Sequence, residues 1–391
     1  MTVHQMAPLA GIHVRKVRVP FLRPFATATG MWFAREAWII RLVAADGREG
    51  VGEAVLEPAD GQAAASVLDW LAEGLSAADA NEWPQAQRSL EEHGSPGRAL
   101  RAALDTAWLD LGVAVGGVAP WAPSAPGPGA AVGVNATLPL LDARALAEAA
   151  AQAVAVGFRT LKLKAGAERE TEVLVDRVRA LRSAVGPEIR LRLDVNGAWD
   201  LETATERLEA VERFRLEYVE QPLAGDDPAA LAELRRRVGV PVAADEAVTS
   251  VRAVRKLLDA DAVDVLVVKP VRVGGPIVTA EIAALAAEHG VPVVISTLFE
   301  TGVGIAAGLA AAAALPPVRG ARLASPPDHG LATAGLLEHD LLADGLVLGG
   351  GRLRTPAEPG SGRLGIRLDT AAVARYGSDR TQSPTWEAWG A

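Results

Sequence analysis

Leu161-Lys162-Leu163-Lys164 opens a series of short apolar runs, each ending in a charged or amide residue. Four more follow: Leu191-Arg192-Leu193-Asp194-Val195-Asn196, Leu216-Glu217-Tyr218-Val219-Glu220, Val240-Pro241-Val242-Ala243-Ala244-Asp245-Glu246 and Val263-Asp264-Val265-Leu266-Val267-Val268-Lys269. Each run has the length of a strand, and helical patterns such as Glu170–Val185 and Asp227–Val238 lie between them. That alternation predicts βαβ units and a parallel sheet. A charged residue ending a buried parallel strand is badly placed for packing. It is well placed at the C-terminal mouth of an α/β barrel, where that fold carries its active sites. Lys164, Asp194, Glu220, Asp245 and Lys269 follow one another at intervals of 30, 26, 25 and 24 residues. Eight units of that length fit the roughly 250 residues of such a barrel. The expected fold class is α/β, with a TIM-like barrel at its centre.

The 391 residues suffice for two domains and a large core. Half are hydrophobic and 22% charged, a globular balance. A formal charge of −9 argues against a nucleic-acid partner and gives no sign of binding to anionic membranes. With no cysteine, disulfides and thiolate metal sites are excluded. The N-terminus lacks the basic-then-apolar pattern of a secretory signal. The longest uncharged apolar stretch, Gly302–Leu315, is shorter than the roughly 20 residues that span a bilayer. A soluble, cytoplasmic protein is expected.

Outward from the barrel, residues 12–57 read as an antiparallel meander, with a hairpin turn at Asp46-Gly47. Phe21–Phe33 reads as a loop between its first two strands, either buried or a flap over a substrate; Phe21, Phe25 and Trp32 are its candidate contacts. Helical segments at Gly61–Ala77 and Gly97–Ala114 complete an α+β domain over residues 1–130, ending in the breaker-rich linker Gly117–Ala131. The barrel is expected over 131–335, opening at Val132–Thr137. Val291–Ile295 is a further strand, leading to Thr297 and Glu300 as candidate contacts, and Gly320–Ala324 is expected as the last. The segment 336–391 is too short for a domain and is expected to pack back on the first, with Leu364–Leu368 its clearest strand.

Asp194, Glu220 and Asp245 end three successive strands, so their carboxylates can converge. Three buried anions repel, and one divalent cation relieves that. Oxygen ligation without sulfur or histidine favours a hard ion, Mg²⁺ before Mn²⁺. Lys162 and Lys164 share one strand face. Two ammonium groups about 6 Å apart repel by roughly 3 kcal/mol at an effective dielectric of about 20, enough to make one a usable base. Lys269 is placed across the barrel from Lys164. A base, a divalent ion and a facing cation suit proton abstraction beside a carboxylate: the ion clamps the carboxylate and stabilises the enediolate while lysine takes the α-proton.

The motifs Lys162-Leu163-Lys164, Asp194-Val195-Asn196-Gly197-Ala198-Trp199, Glu220-Gln221-Pro222, Ala244-Asp245-Glu246, Lys269-Pro270 and Phe299-Glu300-Thr301-Gly302-Val303-Gly304 together resemble the enolase superfamily, in its muconate-lactonizing enzyme subgroup. The likeness extends to Gly47–Glu53 and Gly362–Asp369. It implies an α+β capping domain over a (β/α)7β barrel. It also implies one Mg²⁺ on Asp194, Glu220 and Asp245, with Lys164 and Lys269 as the acid/base pair. Lys162 would tune Lys164, and Asn196 and Glu246 would support the ligands. Within the subgroup, Val134–Leu138, Leu216–Pro222, Glu300–Pro316 and Gly330–Leu336 are most similar to the o-succinylbenzoate synthases, lyases of menaquinone biosynthesis. N-succinylamino acid racemases and muconate cycloisomerases share the same core. Dipeptide epimerases carry an Asp-x-Asp pair at the eighth strand, where Arg322–Pro327 is expected here. Mandelate-racemase chemistry wants a histidine base at the seventh strand, where Leu298-Phe299-Glu300 stands. A non-catalytic binding barrel should have lost a ligand or a lysine, and all five principal positions are intact. A small-molecule carboxylate substrate follows, and the resemblance leaves room for a homo-oligomer.

Overall fold

The computed structural model describes residues 9–27, 30–56, 89–112, 131–225, 227–319, 321, 323, 326–354, 364 and 366–377. Strands β1 (Leu9–Thr27), β2 (Gly30–Ala44) and β3 (Glu49–Val55) form the antiparallel meander. Gly47, with φ of 81°, allows the tight turn between β2 and β3. Phe21–Phe33 is not a loop. After a register shift between Pro20 and Phe25 it continues the hairpin, pairing Phe25 with Trp32 and Thr27 with Gly30. Aromatic residues that suit a flap suit a strand equally well, which is why composition misled there. The helix Gly94–Asp110 crosses this sheet through Leu100, Leu104, Ala107 and Trp108, all buried. A Cβ on Gly52 would lie 1.8 Å from the Ala103 carbonyl oxygen, so the helix rests on bare backbone. The expected helix Gly61–Ala77 and all of the Gly117–Ala131 linker except Ala131 lie outside the described residues.

The stretch expected to open the barrel is divided. β4 (Ala131–Gly133) joins the hairpin strands Val347–Gly349 and Arg352–Arg354 in a small antiparallel sheet. β5 (Ala136–Leu138) enters the barrel. It is followed by β6 (Thr160–Lys164), β7 (Arg190–Asp194), β8 (Tyr218–Glu220), β9 (Val242–Ala244), β10 (Val265–Val268) and β11 (Val293–Ile295). These seven strands are parallel and neighbour one another in chain order, with helices between. The ring is closed by His329-Gly330. His329 bridges Val134 and Gly330 bridges Ser296, with Gly330 N donating to Ile295 O at 2.8 Å and Asn135 N to His329 O at 2.9 Å.

That closure corrects the expected last strand, Gly320–Ala324. Ala321 and Leu323 belong to no strand, and 320, 322 and 324 lie outside the described residues. Pro316-Pro317 and Pro326-Pro327 bracket the stretch, and proline has no N–H for a ladder. His329 comes two residues after the second pair, and its N–H bonds Gly133 O at 2.8 Å.

Side chains alternate as a barrel requires. Leu161, Leu163, Leu191, Leu193, Val219, Val242 and Ala244 pack against the helices, whereas Tyr218, Ala243, Val265, Val267 and Val294 form a separate cluster inside the ring. Lys162, Lys164, Arg192, Asp194 and Glu220 share the inward parity. Lower in the ring, Arg192 stacks 4.6 Å from the Tyr218 ring centre and donates to Glu217 at 2.6 Å and Asn135 at 3.0 Å. Among the described residues no helix is long and apolar enough to cross a membrane.

Residues after the barrel touch the cap at several points: Val17 bridges Gly377, Phe21 bridges Leu337, and Leu364 N donates to Asp110 Oδ1 at 3.0 Å. Among the described residues of Leu364–Leu368, which leave out 365, there is no strand, and Leu368 bridges Leu342. Asp110 also accepts from Val51 N at 3.1 Å. Burial pushes its carboxyl up to about 7, although both N–H donors favour the anion. Between about pH 4 and 7 the native state holds a proton that the unfolded chain has released. This site therefore makes the fold less stable as pH rises through that window, and contributes no slope above it. Asp110→Asn should give a lower melting temperature at pH 5 but a flatter profile from pH 5 to 7, measured by calorimetry. An unchanged slope would place its origin elsewhere.

Candidate active site

Parallel register sets the site. Lys164 lies opposite Asp194, and Asp194 opposite Glu220, on β6, β7 and β8. Asp245 follows β9 and Lys269 follows β10, completing an arc of inward-facing charge at one end of the ring. Asp194, Glu220 and Asp245 are each at most 1% exposed. Lys162 Nζ lies 2.7 Å from Asp194 Oδ2 and 3.0 Å from Glu220 Oε1. Lys164 Nζ reaches the same Asp194 oxygen at 2.7 Å and Asn196 Oδ1 at 2.8 Å. Across the mouth, Lys269 Nζ donates to Asp245 Oδ2, and Arg272 Nη1 to Asp245 Oδ1 at 2.8 Å. Asn196 is held at φ 51° and donates from Nδ2 to Glu246 Oε1 at 3.0 Å, joining the two sides.

Like-charge repulsion between the two lysines is not what dominates here. Burial opposes the charge on Lys162, but Asp194 and Glu220 overcome it and hold the ammonium well above its ordinary range. Burial likewise opposes the charge on Asp194, and Lys162 and Lys164 together hold its carboxyl below the usual range. Glu220 goes the other way. Burial, with Asp194 and Asp245 near it, outweighs Lys162 and pushes it up to about 7.

Among the described residues no three of Asp, Glu and His stand together as a ready-made metal cage, because each inward carboxylate is turned onto a cation. The donor set nevertheless fits a hard dication. Asp194 Oδ1 and Glu246 Oε2 are buried with no hydrogen-bond partner. Burial and the neighbouring carboxylates of Asp194 and Asp245 raise the Glu220 carboxyl to about 7 although Lys162 stands beside it. All the oxygens are carboxylate, and neither sulfur nor imidazole competes for the ion.

The remaining candidates divide. Glu300 is buried; its carboxylate accepts from Leu298 N, and burial raises its pKa, partly offset by the charges of Arg35 and Lys269. Thr297 bonds Thr333 at 2.9 Å, hydroxyl to hydroxyl, rather than an ion or a charged group. Phe21 and Trp32 meet the ring of Phe299 edge-on, with centroids 5.9 and 5.8 Å apart. The side chain of Phe25 lies outside the described residues. Sequence reasoning missed Arg272. Its signal was there: three residues after Lys269, on a helix started by Pro270, it returns to the same side. His329 lies at the closure of the ring, bridged to Val134. Its Nδ1 accepts from Ile295 N at 3.1 Å, and burial lowers its pKa to about 4.

This geometry can be set beside that of known proteins. The family described as "Mandelate racemase / muconate lactonizing enzyme, N-terminal domain" matches residues 10–118, and "Enolase C-terminal domain-like" matches residues 145–372. The chain belongs to the enolase superfamily. It is similar to an o-succinylbenzoate synthase of Thermobifida fusca (strain YX), 41% identical over 66% of this chain and 73% of the relative. An N-succinylamino acid racemase of Amycolatopsis sp is 31% identical over 94% of this chain and 98% of its own. The fold is shared with a dipeptide epimerase from Cytophaga hutchinsonii, solved with Mg and the dipeptide D-Ala-L-Val. Its TM-score is 0.82 at 23% identity, covering 94% of this chain and 98% of that one.

For this enolase-superfamily enzyme, Lys162 tests whether the carboxylates form a cation site. Lys162→Met removes a buried partner of both Asp194 and Glu220, a loss of about 3–5 kcal/mol where a buried charge is left uncompensated. Without divalent ions the variant should melt well below the wild type, and millimolar Mg²⁺ should restore most of the difference. A melting temperature that Mg²⁺ does not move would remove the cation site.

Proposed function

We propose that this enzyme is an o-succinylbenzoate synthase, dehydrating a hydroxylated cyclohexadiene carboxylate to its aromatic product. The observation that carries the α-proton chemistry common to this reading and its rival is the placement of Lys164 and Lys269 on opposite sides of one buried carboxylate cluster, each touching a different aspartate. Similarity to the Thermobifida fusca synthase supports it. Leu331-Ala332-Thr333, which follow the closing strand, carry no Asp-x-Asp pair of the kind expected of dipeptide epimerases.

Asp194, Glu220 and Asp245 would hold Mg²⁺ or Mn²⁺, as the oxygen-only donor set suits and as the Mg-bound Cytophaga structure suggests by fold. When bound, the ion supplies Lewis-acid stabilisation of the substrate carboxylate as negative charge develops on it. Lys164, as the neutral amine, removes the α-proton, and the electrons of that C–H bond enter the enediolate. The β C–O bond then breaks as the ring becomes aromatic. The proton on Lys164 passes to the departing hydroxide, which leaves as water. Lys162 balances the charge of Asp194 and Glu220 beneath. Lys269 stays protonated and faces the electron-rich intermediate.

Racemization of N-succinylamino acids is the second reading, favoured by the Amycolatopsis racemase aligning over almost the whole chain. It needs both lysines to exchange protons, one on each face of the α-carbon. Lys164→Ala should lose about 10²–10⁴-fold in rate on any substrate. Lys269→Arg keeps the charge but is too basic to abstract a proton. It should retain part of the dehydration and lose proton exchange on one face of a racemase substrate. A panel of the diene acid, N-succinylamino acids, dipeptides and muconate decides the class. Efficient racemization with the diene acid untouched would replace the synthase reading by the second. Full activity after exhaustive chelation would exclude the metal.

A further inference from the structure

Gln221 stands beside Glu220 in a conformation few non-glycine residues adopt, with φ of 38°, and is 1% exposed. Its backbone N donates to Ala243 O at 2.8 Å, and its carbonyl accepts from Gly197 N at 2.7 Å. Its side-chain Oε1 accepts from Asp245 N at 3.0 Å and Ala247 N at 3.2 Å. Its Nε2 donates to Leu223 O at 3.0 Å and Gly225 O at 3.2 Å. A primary amide offers two lone pairs and two N–H groups, and all four are used.

These bonds reach the segments that follow β7, β8 and β9; Asp194 and Glu220 end the first two strands, and Asp245 directly follows the third. We infer that Gln221 is a positioning residue, which fixes the backbone of Asp245 and Ala247 relative to Glu220 and so sets the spacing of the three carboxylates toward a divalent cation. This rests on the metal-dependent reading above. No other side chain meets the demand. Glutamate has no N–H for Leu223 O and Gly225 O, methionine offers neither donor nor strong acceptor, and asparagine is one methylene short. Glycine would relieve the strain of the positive φ but would release the neighbouring strand end.

The test is calorimetric titration of Mg²⁺, repeated with Mn²⁺, into wild type, Gln221→Met and Gln221→Glu, with a thermal melt of each. Leu258→Ala, in a helix core away from the mouth, serves as a control that lowers stability alone. Loss of groups that orient ligands weakens metal binding about 10–100-fold, and a loss of that size is expected in both Gln221 variants. The control should bind as the wild type does. If one Gln221 variant does not fold, the other carries the comparison. Binding within threefold of wild type in a folded Gln221 variant, whatever its melting temperature, overturns the inference and leaves the metal site standing. A wild type that binds neither ion overturns both.

Discussion

Asp194, Glu220, Asp245 and Glu246 bring four carboxylates to a barrel mouth from which water is largely excluded, and Lys162, Lys164, Lys269 and Arg272 bring four cations to meet them. Any one of these charges buried alone would cost several kcal/mol. The ring must therefore assemble as a set, and the strands that carry it are held in register by an apolar exterior that tolerates no slip. A shift of one residue along β6 would turn Lys162 and Lys164 into the helix layer and Leu161 and Leu163 into the mouth. Packing on the outside and charge pairing on the inside specify the same register.

The balance of that set also explains its chemistry. With three carboxylates drawn onto lysines, the ammonium groups stand where positive charge is needed, and Lys162 bridges Asp194 and Glu220 as a dication could. Burial and its carboxylate neighbours still raise the Glu220 carboxyl to about 7, and Asp194 Oδ1 is buried without a hydrogen-bond partner. Added positive charge on the carboxylates would satisfy both and leave the lysines free to move protons. The lysines that steady the site without a cation are therefore the groups that would act in its presence.

Much of this was legible in the amino-acid order, because the relevant signals are local. Apolar residues at strand length mark the strands, and a charged residue at a strand end marks the mouth; Lys164, Asp194, Glu220 and Lys269 were all visible in this way. What was not legible depends on partners distant in sequence. The closing strand is two residues long and has no period of its own, so His329-Gly330 could not compete with the more apolar stretch before it. Val132–Thr137 reads as one strand, yet its first half pairs with Arg352–Arg354, more than two hundred residues away. Gln221 is unremarkable as a letter beside a proline; the two bonds its Oε1 accepts, from Asp245 N and Ala247 N, exist only once β8 and β9 lie side by side.

A buried acid of the cap also reaches the barrel mouth. Glu53, ending the Gly50–Glu53 run on β3, accepts from Thr301 N at 3.0 Å, Thr301 Oγ1 at 2.7 Å and Gly304 N at 2.8 Å. It thereby closes the N-terminus of the barrel helix Gly302–Ala313, where unpaired N–H groups and the helix dipole favour an anion. Asp340, after the barrel, accepts from Gly302 N at 2.7 Å on the same turn. Burial raises the Glu53 carboxyl to about 7 against those donors, so the contact is formed at the expense of solvation. The turn it holds carries Glu300 and Phe299, and Phe299 (φ 64°) meets Phe21 and Trp32 of the hairpin arm. Arg35 in turn lies 5.1 Å over the Trp32 ring. A movement of β3 would therefore shift the end of the seventh barrel strand, and with it the wall that faces the lysines. The placement of the cap and the end of the seventh barrel strand are thus coupled through Glu53 and the aromatic contacts of Phe299.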